Sequence, residues 1–167
     1  MTIRFKITRH LLQAIRRDLA RPHPFAHERV GFISASLSSA DDDLWVLARA
    51  YRPVADNDYL RDPSVGAMMG PEAIRKALQW AMSEGVAIFH IHTHGGRGRP
   101  GFSGIDLREQ AKFVPSFFQI ARKCPHGAMV LSDNSAFGNI WLDGDKPGEP
   151  ITGFVEVGAP LKAWSGI

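Results

Sequence analysis

The chain has a single cysteine, Cys124, among 167 residues. One thiol can neither close an internal disulfide nor build a cysteine-rich metal site, so Cys124 reads as an inert, wholly or partly buried thiol. Apolar runs of membrane-spanning length are also missing. The first ten residues, Met-Thr-Ile-Arg-Phe-Lys-Ile-Thr-Arg-His, interleave charge with apolar residues and offer no leader-like apolar stretch. These absences predict a cytoplasmic protein with no membrane partner. There is no basic motif interleaved with aromatics, so no nucleic-acid partner is expected. Repeats, low-complexity tracts and linkers are absent too, which predicts one domain over residues 1–157 and a C-terminal tail over 158–167. A 44% hydrophobic content suffices for a core.

The formal charge is a mild +3, and much of the basic surplus sits early. Arg4, Lys6, Arg9, Arg16, Arg17, Arg21 and Arg29 face only Asp18 and Glu28 in that region. The plain reading is a solvated helix face, with a patch for an acidic partner as the alternative.

Residues 2–7 alternate polar and apolar, as in a half-buried strand. Leu11, Leu12, Ile15 and Leu19 then predict a helix over 9–20, stopped by Arg21-Pro-His-Pro24. Strands are expected over 30–37 and 44–51 around a polar turn at 38–43. A long polar loop over 52–70 follows, of the kind that is often functional or mobile. Pro71 and Glu72 suit a helix start, and Gly85 suits its end. An apolar strand is predicted over 86–92 and a helix over 103–123, with Leu107, Ala111, Val114 and Phe118 aligned and Pro115 bending or breaking it. A hairpin over 128–142 and a last strand over 151–157 complete an α/β chain of the α+β type, a mixed sheet flanked by helices.

The densest chemistry lies in His90-Ile-His-Thr-His-Gly-Gly-Arg-Gly-Arg-Pro-Gly-Phe-Ser-Gly-Ile-Asp106. Residues two apart on a strand share a face, so His90, His92 and His94 line one side and Phe89 and Ile91 the other. The glycine-rich segment 95–101 can fold back and bring Asp106, in the first turn of the next helix, against the strand end. His92, His94 and Asp106 then supply two imidazoles and a carboxylate, which leaves one zinc position open for water. Ser103-x-x-Asp106 also reads as a helix capping box. An amidohydrolase barrel needs more chain than follows the motif, and a zinc deaminase needs a Cys-x-x-Cys pair that is absent. A hydrolytic zinc site also needs a base from elsewhere, and Glu28, just before the strand at Val30, is the candidate.

Together these residues resemble the JAMM metalloproteases, the catalytic branch of the MPN domains. That family's signature is a Glu at the start of an early strand, then His-x-His, a short loop and Ser-x-x-Asp. Glu28-Arg-Val-Gly-Phe-Ile33, His92-x-His94 and Ser103-x-x-Asp106 match it, and the similarity covers most of residues 1–145. Eight residues separate His94 from Ser103 where the family usually has seven, and Gly95 and Phe102 stand where it often has proline. The resemblance implies a single-domain MPN-type, cytidine-deaminase-like fold. It also implies one Zn²⁺ per chain on His92, His94 and Asp106, Glu28 as the proton-transferring base, and Ser103 as oxyanion donor. His90 is expected in the core or behind the ligands, and His90/His92 is the less favoured ligand pair. Compact single-domain bacterial members look most similar, which implies a deubiquitinase-like isopeptidase acting at the C-terminal tail of a ubiquitin-like protein. Residues 56–70 and Arg97 and Arg99 are the expected substrate walls; the two arginines are equally readable as solvated loop charges. The alternatives are a catalytically silent protein-binding scaffold and a hydrolase of small-molecule amides.

Overall fold

The structure, a computed structural model, describes residues 1–160 and 162–165. Strand β1 (Thr2–Thr8) alternates as its pattern demands and buries Ile3, Phe5 and Ile7. The Thr8 hydroxyl accepts the Leu11 N–H and caps helix α1 (Arg9–Leu19), whose Leu12, Ile15 and Leu19 pack on the same sheet face. Strands β2 (Val30–Ala40) and β3 (Asp43–Pro53) form an antiparallel pair with a register shift at Ser34/Ala35. The predicted polar turn shrinks to Asp41 and Asp42, with Asp41 at φ 53°, because the serines of β2 continue the ladder beyond the core.

The segment expected to be loop over 52–70 is partly ordered into a 3-10 turn at Asp56–Asp58 and a two-stranded ribbon, β4 (Tyr59–Leu60) with β5 (Met68–Met69). Helix α2 (Pro71–Glu84) starts on its proline and ends where Gly85 turns left-handed at φ 60°. Then come β6 (Ala87–Thr93), α3 (Gly104–Ile120), β7 (His126–Leu131), β8 (Ala136–Trp141), β9 (Glu149–Pro150) and β10 (Gly153–Val157). The segment read as a C-terminal tail adds β11 (Lys162–Ser165), antiparallel to β10. Leu161, Gly166 and Ile167 of that segment lie outside the described residues.

One mixed nine-stranded sheet results, in the order β11-β10-β1-β3-β2-β6-β7-β8-β9. Its β1–β10, β1–β3 and β6–β7 neighbours are parallel. Ile33, Phe89 and Ile91 point to the α1 side, while Val30, Phe32 and Ile88 point to α2 and α3. The sheet is thus a layer between helices, as the irregular strand–helix order predicted. Among the described residues, no helix is long and apolar enough to cross a membrane.

Two expectations are corrected. The buried face of α3 carries Gln110, Phe113, Val114 and Phe117, while Leu107 and Ala111 are exposed; Pro115 stays on the exposed side and does not end the helix. The early basic residues are also more than a solvated face. Arg29 is 2% exposed, donates to the Arg21 and Pro22 carbonyls, and pairs with Asp56 at 2.7 Å. Arg9 pairs with Glu156, and Arg16 donates to the Ser132 carbonyl. Charged hydrogen bonds contribute about 1.5–3 kcal/mol each, and orphaning buried carbonyls adds a cost. Arg29→Met is therefore expected to lose about 3 kcal/mol in urea unfolding with an unchanged slope. A loss under about 1 kcal/mol would mean that water replaces the guanidinium.

Candidate metal centre

Register places the site. In the antiparallel β2–β6 pair Val30 lies opposite His92, so extending the ladder two residues sets Glu28 level with His94. The Tyr59 hydroxyl accepts the Val30 N–H at 2.8 Å and fixes the start of β2. On the other side of β6, the His94 N–H donates to the Leu131 carbonyl at 2.8 Å. Ligand atoms of Glu28, His92 and His94 all come within 4.8 Å of one another, a set able to hold a metal ion.

Asp106 joins them from α3. Its Oδ1 is 3.3 Å from His92 Nε2, its Oδ2 is 3.4 Å from His94 Nε2, and the two imidazole Nε2 atoms are 3.2 Å apart. Ser103 and Asp106 form the capping box: Asp106 Oδ2 accepts the Ser103 N–H at 2.6 Å, and Ser103 Oγ accepts the Asp106 N–H at 3.2 Å. The cap and the carboxylate's aim are one arrangement, because the backbone N–H that satisfies the helix start also orients Asp106. Burial alone would raise the Asp106 carboxyl. The hydrogen bond and charge of His92, with the hydrogen bonding of Ser103, outweigh it and hold the group below the usual carboxylate range.

His92 is 1% exposed, whereas the side chain of His94 is 28% exposed, so the site has a buried wall and an open one. His90 sits behind the pair against Phe32 and Phe113. Burial, and secondarily His92, pushes His90 down to about 3 against a smaller pull from Asp106, leaving it neutral at neutral pH.

The glycine-rich loop is pinned. Asp133 N–H donates to the Gly96 carbonyl at 2.9 Å, Gly98 N–H to Asn134 Oδ1 at 2.8 Å, and Ser132 Oγ to the Gly98 carbonyl at 2.6 Å. Gly96 and Gly98 both take φ 94°, which side-chain-bearing residues rarely adopt. Arg97 is exposed, and the Arg99 guanidinium lies over Phe137, 5.0 Å from the ring centre.

The predicted residues Glu28, His92, His94, Ser103 and Asp106 are thus brought together; Arg97 and Arg99 lie on the loop that leads into them. Two contributors escaped the sequence reading. The Gly66 carbonyl accepts both the His27 and Glu28 N–H groups, at 2.8 and 3.0 Å, and a Cβ there would fall 2.6 Å from Glu28 Cδ. The Glu28 carboxylate therefore rests on the bare Gly66 Cα. Gln110, four residues after Asp106, shares its helix face, a spacing visible in sequence but meaningful only once Asp106 is known to face inward.

No protein-family model matches the chain, and no curated protein matches it. Among solved structures, it is similar to the N-terminal domain of STIL from Trichoplax adhaerens over 80% of this chain and 39% of that one, with 13% identity and a TM-score of 0.38. The chain thus spans about two fifths of that protein chain's length. A likeness this slight carries no argument about family or activity.

Proposed function

We propose that the chain is a zinc-dependent peptidase of the JAMM type, with an MPN-like fold, that hydrolyses the amide bond after the C-terminal tail of a ubiquitin-like protein. The observation that carries this reading is that the imidazoles of His92 and His94 gather two carboxylates, Glu28 within the same metal-capable group and Asp106 at 3.3 and 3.4 Å from their Nε2 atoms. Nitrogen and oxygen ligands about 2.0–2.1 Å from a tetrahedral zinc stand about 3.3 Å apart. The separations of 3.2, 3.3 and 3.4 Å among His92, His94 and Asp106 fit that figure. His92, His94 and Asp106 would hold the ion. When bound, zinc supplies a water acidified toward about pKa 7 and polarises the scissile carbonyl.

The protein's own groups do the rest. Glu28 takes the attacking water's proton on its carboxylate and delivers it to the leaving amine nitrogen. Ser103 Oγ uses a lone pair for the Asp106 N–H, so its O–H stays free to donate to the oxyanion. Such a donor is worth about 2.7–4 kcal/mol of barrier. The tail would lie between the β4–β5 ribbon and the pinned loop bearing Arg97 and Arg99, adding as a strand to the ribbon edge.

The testing experiment is zinc analysis of the purified protein, followed by cleavage of ubiquitin-like proteins carrying a C-terminal amide extension. One zinc per chain, and cleavage abolished by chelator and restored by zinc, are expected. A zinc-loaded protein that cleaves none of them would favour the scaffold reading. The Gly66 contact gives a further prediction. Gly66→Ala should keep zinc and thermal stability yet lower kcat about 100-fold by displacing Glu28, since errors near 1 Å cost that much. Unchanged kcat would show that the carboxylate does not depend on this seat.

A further inference from the structure

Three apolar side chains belong to neither half of the core: Trp45 and Leu47 on β3 and Val155 on β10. They share one face of the sheet. Helix α1 packs over β1, β3 and β10 from the opposite side, against Phe5, Val46 and Phe154. Helices α2 and α3 are on the side of Trp45 but lie over β6 and β7. Among the described residues, no helix packs on the stretch around Trp45 and Leu47. Register puts Ser38, Trp45 and Arg4 in one row of this face and Ser36, Leu47, Lys6 and Val155 in the next. An open apolar patch rimmed by polar residues marks an interaction surface.

The charges on the face are sorted along β3. At the hairpin end Asp43 pairs with Arg4 at 2.7 Å, and Asp41 and Asp42 stand exposed beside it. Farther along, the Lys6 ammonium lies 4.3 Å from the centre of the Trp45 ring, and Arg49 reaches over the face to Ser36 Oγ at 3.4 Å. Among the described residues, Asp41, Asp42, Lys6 and Arg49 have no ion-pair partner. Two free carboxylates at one end thus answer two free cations toward the other.

A face charged this way complements itself. A twofold axis lying across the strands sets the acidic end of one copy over the basic end of the other, with Leu47 and Val155 against their own images. Nucleic acid fits less well, because a uniform polyanion meets Asp41 and Asp42. The ring of Trp45, on which a base would stack, is also already covered by Arg4 and Lys6. The two carboxylates count equally against a uniformly acidic polypeptide. Four strands about 4.8 Å apart, over the seven residues of β1, give on the order of 400 Å² of flat sheet per copy. That is the size of a transient dimer, not an obligate one.

We propose that this face is where two copies of the chain associate, as a twofold dimer held by Leu47 and Val155 and set in register by the opposed charges. The proposal depends on nothing at the metal centre.

The experiment is sedimentation equilibrium of the full chain, loaded from about 10 µM to about 1 mM to capture weak association. A monomer–dimer equilibrium is expected. It should weaken about fivefold or more as salt rises from about 0.1 M to about 1 M and the screening length falls from about 10 to about 3 Å. Leu47→Asp should weaken it about tenfold or more, because each carboxylate would be buried against its own image. Arg49→Glu and Asp42→Lys should each weaken it by about tenfold, since a twofold contact counts every change twice. An equimolar mixture of those two variants should return to within about threefold of wild type, because both opposed contacts are restored with their signs exchanged. A monomer at every concentration overturns the proposal, and one that binds polyglutamate or a single-stranded oligonucleotide hands the face to that partner. A dimer indifferent to Leu47→Asp, a mixture no better than either variant, or growth into open-ended chains also overturns it. If Leu47→Asp does not fold, the two exposed charge variants and their mixture decide alone.

Discussion

Glu28→Gln is expected to retain its zinc and to lose turnover by about 100-fold to 10,000-fold, the range that a positioned general base contributes. Glutamine keeps the size of the side chain and its rest on Gly66 but cannot take a proton at neutral pH. The comparison is informative because Glu28 belongs by distance to the same cluster as the two histidines. Metal analysis and kcat, measured on one preparation, separate the two roles it could play there. Loss of zinc together with activity would make Glu28 a ligand; full activity would remove it from the mechanism.

The second large effect is expected at Asp106. Asp106→Ala should weaken zinc binding by on the order of 100-fold or more, since even indirect partners of metal ligands are worth about 10-fold to 100-fold. It should also destabilise the metal-free protein by about 1 kcal/mol, because the Ser103 N–H loses its acceptor and α3 its capping box. Asp106→Asn separates the two losses. Its amide oxygen can still accept from Ser103, so stability should recover while zinc affinity stays low. Competition with a chromophoric chelator, paired with thermal unfolding of the apo protein, reads both. Zinc affinity equal to wild type in the Ala variant would move the carboxylate ligand elsewhere.

The parts of this molecule that were legible in sequence are those governed by local periodicity and end signals. The alternation of β1, the apolar face of α1, and Pro71 and Gly85 at the two ends of α2 all act within a few residues. The clustering of these side chains was legible for a different reason: His92 and His94 share a strand face, and the Ser103-x-x-Asp106 cap also turns the Asp106 carboxylate toward them. The face of α3 was misread because the capping box, not the apolar count, sets its phase. With Asp106 turned toward His92, positions 110, 113 and 117 must follow it inward, and Leu107 is left outside. Arg29, Gly66 and the β4–β5 ribbon depend on contacts between distant segments, which no local pattern encodes. The edge strand β11 was hidden for the same reason, since its partner β10 decides it.

The pinned loop changes what its glycines mean. A stretch this rich in glycine normally buys freedom in the unfolded chain, and fixing it costs backbone entropy. Here three hydrogen bonds to residues 132–134 hold it, and two glycines sit at positive φ. That ordering cost is met during folding, before any ligand arrives. On the proposed reading, a substrate docking against the loop would meet a wall already ordered, so its binding energy would not be diverted into immobilising it.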